Sequence, residues 1–398
     1  MSVGSVISLF TGGMGLDLGL EHAGFDIKVS IEKDPWAVET IRANRPSIPV
    51  IPRDVHNVTT SEILQKAEIG VGEATVITGA SPCEPFSTAG RRASVQDNRA
   101  SVINEFIRVV NEARPRFFVF EQVKGFTRAA KRHISFYERV AKRPEELHPD
   151  ERLGSAFNEI MERFEATGYS LSYNADRPRE SILNAADYGV PQKRERFILI
   201  GSREGGPILL PNKTHNKPES PEVASGSLSP WVTLREALAG LDDSEPECVK
   251  FPDSWGQYLV FVPPGGCWKD IPKELQRKAL GGAYDETGSK KKGGRTGFLR
   301  RLSWEKPSPT LVDRPNTKAC CLCHPEENRP LSIKESARVQ GFPDDWEYKG
   351  PLTSRYEIIG QATPVLLARA LALAISRQLA CNAKEEVVNM PEETMVTA

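Results

Sequence analysis

The sequence predicts an open α/β sheet with helices on both faces, joined to a smaller irregular module. Three observations predict it. Up to about residue 200, short apolar runs alternate with amphipathic stretches, the pattern of strands and crossover helices in a parallel sheet. After Gly201 that alternation stops: residues 203–229 are rich in Pro, Gly, Ser and Asn, and residues 231–300 show no clean period. Regular structure resumes at Ser332 and ends in an apolar, helix-like run over residues 364–379, dense enough to pack back onto the first domain. The chain therefore divides into a ligand-binding domain (1–204), an irregular module (205–329), a segment completing the first domain (330–382) and an acidic, frayed tail (383–398).

With 398 residues, 39% of them hydrophobic, the chain can bury a sizeable core. Lys+Arg 52 against Asp+Glu 53 leaves a net charge of −1. That balance neither supports nor excludes a nucleic-acid partner, because only the surface facing phosphates must be basic. Seven Cys without a framework pattern fit a reducing cytoplasm. No apolar run approaches the length of a membrane span, and the N-terminus enters a strand with no basic region before it, so no signal peptide is read.

Strands are expected over residues 5–10, 27–32, 75–80, 116–123 and 196–202, with helices over Pro35–Asn44 and residues 100–113. Ligands of open α/β sheets bind beyond the carboxyl ends of strands, and four of these ends carry unusual chemistry. Phe10-Thr11-Gly12-Gly13-Met14-Gly15 turns from strand to helix, where glycines admit a ligand to the backbone and a helix N-terminus favours negative groups. Glu32 ends the next strand about twenty residues on, where a carboxylate takes ribose hydroxyls. Asp54, from the third strand region, suits an adenine amino group. A nucleoside-containing cofactor follows, though these residues do not separate nicotinamide, flavin and S-adenosylmethionine. Trp36 either flanks the adenine or is a core aromatic of its helix; the second reading is preferred.

Beyond the strand over 75–80 lies Ser81-Pro82-Cys83-Glu84-Pro85-Phe86-Ser87. A Cys between prolines in a loop is held stiff and exposed, unlike a buried structural thiol. Glu121, in Phe120-Glu121-Gln122-Val123, ends a further strand and suits an acid/base partner for that thiol.

At this point the chain resembles the DNA cytosine-5 methyltransferases. LFTGGMGLDLGL is similar to the family's first cofactor motif, SPCEPFS to its Pro-Cys motif, and EQV to its glutamate motif. Gln192-Lys193-Arg194-Glu195-Arg196 resembles the QRR motif, LSWEKPSPT the motif closing the recognition region, and Gly360-Gln361-Ala362-Thr363-Pro364 the final Gly-Asn motif. The six occur in family order, with a variable stretch between the fourth and fifth. Departures are Met14 at a usual Gly, where it would crowd the first loop, Glu84 at a usual Gln, and Gln122 and Gln361 at usual Asn positions.

The resemblance implies a Rossmann-like, S-adenosylmethionine-dependent methyltransferase sheet with a target-recognition domain, acting on a cytosine flipped out of double-stranded DNA. It implies Cys83 as the thiolate that adds to C6, Glu121 as the N3 proton donor, Arg194 holding the cytosine O2 and Arg196 bracing Glu121. For the cofactor it implies Phe10, Thr11, Gly12, Gly15, Glu32, Asp54, Ser81 and Pro82. DNA contacts fall to Ser87, Arg91, Arg92 and Arg99 in the loop after Cys83, and to Gln361. Residues 289–301, with six basic residues and no acid, add Lys291, Arg295 and Arg300. The implied setting is a cytoplasmic monomer, with a cognate restriction endonuclease as companion where the chain serves a restriction-modification system.

The rival readings are an RNA cytosine methyltransferase and a non-catalytic DNA-binding relative. The long variable module favours base reading in DNA; intact Cys83, Glu121 and Arg194 favour catalysis. Cys320-Cys321-Leu322-Cys323-His324 lacks the spacing of paired zinc ligands and reads as a strand, so no metal is expected.

Overall fold

The computed structural model describes residues 2–80, 101–281 and 298–388. Nine strands are introduced in chain order: β1 (Ser5–Leu9), β2 (Asp26–Ile31), β3 (Val50–Ile51), β4 (Val76–Ala80), β5 (Phe117–Val123), β6 (Ser170–Leu171), β7 (Ile182–Asn184), β8 (Gln192–Lys193) and β9 (Glu195–Ser202). All but β8 form one sheet, ordered β3-β2-β1-β4-β5-β9-β6 with β7 also on β9. From β3 to β5 the strands are parallel, whereas β9 runs antiparallel to β5, β6 and β7. The expected all-parallel sheet is thus corrected to a mixed one. A buried strand reads as an apolar run in either direction, so the residues of β9 carry no sign of its orientation.

Alternate residues of each strand serve opposite faces. Phe118 and Phe120 of β5 join one core with Ile63 of α3 (Thr60–Ala67), Phe106 of α4 (Ser101–Ala113) and Phe164 of a later helix (Ser155–Glu165). Phe117 and Val119 join another, with Leu16 and Leu20 of α1 (Gly15–Glu21) and Leu367, Leu371 and Ile375 of the last helix (Val365–Val388). The last helix lies against α1 because glycines face it: a Cβ on Gly15 would fall 2.2 Å from the Thr363 carbonyl oxygen, and one on Gly19 2.3 Å from Ala368 Cβ. Residues 352–382 are apolar enough by length and composition to cross a bilayer, contrary to the expectation that no run approaches a span, but 67% of the most apolar window is buried inside the protein. That apolarity serves packing. The last helix also continues past residue 382, where a frayed tail was expected, and residues 389–398 lie outside the described part.

Met14 corrects another expectation. It does not crowd the first loop; it caps α1 at φ 68° with its side chain buried among Leu18, Ile41, Phe342 and Ile359. The left-handed backbone accounts for a glycine-like position, and Met pays for its conformation with burial. Trp36, expected in the core, opens α2 (Pro35–Asn44) and is 40% exposed, beside Gly350.

Between β9 and Ser332 regular structure is sparse. Ile208 and Leu210 still pack on the sheet domain. A separate core gathers Phe251, Trp255, Leu259, Trp268, Leu280, Leu299 and Cys323. Arg300–Arg301 pairs with Leu322–Cys323, and Ser308–Pro309 with β8, so the chain returns to the sheet domain well before Ser332. The Cys320–His324 stretch therefore includes a strand, as its sequence suggests. Burial pushes the Cys323 thiol up to about 11 and the Cys321 thiol higher still, so both are neutral.

Candidate active site

A cleft of about 2290 Å³ opens at the carboxyl ends of β1, β2, β4 and β5 and is walled on the far side by residues of the irregular module. Phe10 and Gly12 turn the chain at its floor with φ of 55° and 53°. Such a backbone is disfavoured for Phe, and strain of this kind concentrates where a ligand is held. The Glu32 carboxylate stands beside them and accepts N–H bonds from Gly12 (2.7 Å), Lys33 (2.8 Å) and Asp34 (2.8 Å). Burial raises its pKa while those N–H groups oppose the rise. Thr11 turns its hydroxyl inward, to Ser8 Oγ at 3.0 Å, so its contribution at the cleft is backbone rather than side chain.

Asp54 accepts from Lys33 Nζ (3.0 Å) and lies 2.6 Å from His56 Nδ1. Burial would raise its pKa, but the bonds from His56 and Lys33 prevail and hold it at about 2. Lys33 and His56 were not read as site residues; their only sequence signal is adjacency to Glu32 and Asp54. Thr363, just before the last helix, was likewise missed: its Oγ1 is buried, and it lines the cleft with no hydrogen-bond partner among the described residues. Together a carboxylate with remaining lone pairs, a charged Asp54 and an orphan hydroxyl fit the ribose and adenine of S-adenosylmethionine.

The second half of the cleft is built on β5. Glu121 is buried at its end, and Arg196 Nε lies 2.6 Å from Glu121 Oε1. Burial raises the Glu121 pKa, with the Arg196 and Arg194 charges opposing it. In the β4–β5 register Ala80 stands opposite Glu121, so the chain leaves for residue 81 beside that carboxyl group. Ser81, Pro82, Cys83, Ser87, Arg91, Arg92 and Arg99 lie outside the described residues, as do Lys291 and Arg295.

Arg196 is the arginine at Glu121, the place the resemblance gives it, and Arg194 lines the same cleft. Arg194 is only 1% exposed, and its terminal nitrogens donate to Gly360 O (2.8 Å), Leu311 O (3.3 Å) and Gln192 Oε1 (3.5 Å). It straps the returning chain and the turn before Gln361 to the sheet domain, so Arg196 is the arginine that directly meets Glu121. Gln361 is exposed on the cleft wall, and half-buried Arg300 lines the opposite side.

A buried carboxylate of the cofactor floor was also unread. Asp17 accepts from Ser8 Oγ (2.9 Å), its Oδ1 has no partner among the described residues, and burial pushes its pKa up to about 7.

Comparison with known proteins agrees with this geometry. The family model described as C-5 cytosine-specific DNA methylase matches residues 4–377. The chain is 35% identical over 383 residues to Type II methyltransferase M.PspPI of Psychrobacter sp., covering 94% of this chain and 79% of that one. It is 34% identical over 379 residues to Type II methyltransferase M.Eco47II of Escherichia coli, with the same coverage of 94% and 79%. Among solved structures, a prophage-encoded DNA modification methyltransferase of E. coli superposes with a TM-score of 0.59 at 22% identity, covering 94% of this chain and 99% of that one. The Dnmt2 methyltransferase of S. pombe follows at 0.54 and 14%, covering 97% and 99%. At such identities the structural likeness speaks to the fold.

Proposed function

The chain belongs to the C-5 cytosine-specific DNA methylases, and we propose that Cys83, Glu121 and Arg196 are the residues with which it activates the target base. It is a DNA cytosine-5 methyltransferase that uses S-adenosylmethionine, whose sulfonium supplies an electrophilic methyl group when bound. Cytosine C5 is a weak nucleophile. The Cys83 thiolate forms a bond to C6, and Glu121, whose burial raises its pKa and so favours the proton-bearing form, delivers a proton to N3. The ring electrons released to C5 make it nucleophilic. After methylation the C5 proton leaves to a base, the S–C6 bond breaks, Cys83 departs as thiolate, and the N3 proton returns to the Glu121 carboxylate.

Arg196, at 2.6 Å, orients the Glu121 carboxyl group, and its charge stabilises the carboxylate left after proton delivery. Arg194, which lines the same cleft and also donates to the Gly360 carbonyl, would hold the cytosine O2. Glu32 would hold the cofactor ribose, Asp54 the adenine, and Gly12 and Gly15 leave the floor bare. The observation that carries this reading is the buried Glu121–Arg196 pair, in register with Ala80 at the exit to Cys83 and facing the Glu32 cradle across one cleft.

The type II designation of the relatives supports a place in a restriction-modification system with a companion endonuclease at the same site. A monomer in the cytoplasm suits that role, since flipping one base needs one copy. The test is transfer of label from S-adenosylmethionine to duplex DNA, RNA or neither, with Cys83→Ser alongside. Label in DNA with the intact chain and none with Cys83→Ser is expected, as is a covalent adduct on 5-fluorocytosine DNA that the variant lacks. Equal labelling by Cys83→Ser would overturn the assignment of the nucleophile.

A further inference from the structure

Most cations on the cleft are already paired. Lys124 pairs with Glu195 at 2.8 Å, Arg314 with Glu357 at 3.5 Å and Lys33 with Asp54 at 3.0 Å, while Arg194 is taken up by backbone carbonyls. Arg128, Arg300 and Lys306 line the cleft with no ion pair among the described residues, and so do Lys193 and Lys217, which are set apart by the ring beneath them. Both are exposed on the cleft, and among the described residues neither has a carboxylate within ion-pair distance. Each ammonium group instead sits over the indole of Trp231, Lys193 at 4.8 Å and Lys217 at 5.9 Å from the ring centroid.

The ring itself is fixed. Trp231 is buried, and its Nε1 donates to Asp187 Oδ1 at 2.9 Å. Asp187 also binds Lys213 Nζ at 2.8 Å, so the nearby carboxylate is occupied. A cation–π contact holds each ammonium group on the ring without removing its charge. The indole thus gathers two positive charges without neutralising either, which leaves them able to bind an anion.

We propose that Lys193 and Lys217, held on Trp231, form a phosphate clamp for the backbone of the duplex at the junction of the sheet domain and the recognition module. Lys193 lies between Gln192 and Arg194, and Trp231 lies within the module, so a phosphodiester gripped here registers the duplex against both parts. Such contacts position DNA and do not read its sequence. The inference rests on the DNA reading above and adds to it residues that none of the motifs contains in a DNA-contacting role.

The test is the salt dependence of binding to a random-sequence duplex, measured by fluorescence anisotropy for the full chain and for Lys193→Gln, Lys217→Gln, the double variant, Lys217→Arg and Trp231→Phe. Each lysine-to-glutamine change should lower the slope of log K against log salt by about 0.9 and weaken binding roughly threefold to tenfold near physiological salt. The double variant should lose both contributions. Lys217→Arg keeps the charge and should keep the slope, and Trp231→Phe keeps a ring and should change affinity least. S-adenosylmethionine binding by calorimetry should be unchanged in the glutamine variants, because Glu32 and Asp54 are untouched. A steep slope in the intact chain that stays the same in both glutamine variants would overturn the clamp alone. No salt-dependent binding by the intact chain would overturn the DNA reading and the clamp with it.

Discussion

The sheet domain and the irregular module satisfy their buried backbone in opposite ways. In the sheet domain the ladders from β3 to β9 pair the carbonyls, and the side chains between them are left to apolar packing. The module has strands of only two residues, and one buried side chain does much of the same task. Arg301 donates to the carbonyls of Val262 (2.6 Å), Leu259 (2.8 Å), His324 (2.9 Å) and Glu327 (3.0 Å), and to Asn328. Loops anchored on one guanidinium can change length without re-registering a sheet. The cost is that the module's order depends on few groups, whereas the sheet domain's is spread over many.

That contrast can be broken or sharpened from its strongest point downwards. Function in the sheet domain is concentrated at strand ends, so Glu121→Gln should slow methyl transfer roughly 100- to 10,000-fold with cofactor binding intact. A single-turnover rate close to that of the native chain would remove Glu121 from the mechanism. In the module, Arg301→Met should cost about 3–5 kcal/mol locally, because four carbonyls lose their buried partner. Hydrogen exchange should rise within residues 250–281 and 298–329 while β1, β4 and β5 stay protected. Uniform exchange across both regions would show that they unfold as one and sink the contrast.

Asp17 tests the sheet domain by pH. Its folded pKa of about 7 exceeds the ordinary 3.8, so the folded state holds a proton that the unfolded state has lost over that interval. Stability should therefore fall as pH rises from about 4 to about 7, by an amount on the order of a few kcal/mol, and level off above. Asp17→Asn should abolish that fall, and urea midpoints at pH 5 and pH 8 measure it. An unchanged pH dependence in the variant would mean the decline comes from other groups. The smallest effect is expected of Gly19→Ala, whose methyl would meet Ala368 Cβ at 2.3 Å. Pushing α1 from the last helix should cost about 1–3 kcal/mol by overpacking, read as a lowered Tm.

The strands of the first domain were legible because their apolar runs are bounded by turn residues, and the cradle because Gly12 and Glu32 lie at successive strand ends. The irregular module was legible only as a loss of period. Its organising residue, Arg301, reads in the sequence as one more cation in a basic run, and nothing local distinguishes it from Arg300 on the cleft. Trp231 is equally silent, since its ring is given meaning by Lys193 and Lys217, neither of which neighbours it in the chain.

The sequence by itself determined the chemistry: a thiol between prolines, a carboxyl group at the next strand end, a glycine turn with an acid about twenty residues on, and the family that unites them. Tertiary structure alone decided that β9 runs against its neighbour, that Met14 is buried rather than crowding a ligand, and that two lysines share one indole. The reason is one of range. Residue type and spacing report on what a segment can do and how its own backbone turns. Partners more than a hundred residues apart, such as Arg194 and Leu311, are chosen by how the layers pack, and that choice leaves no local period to read.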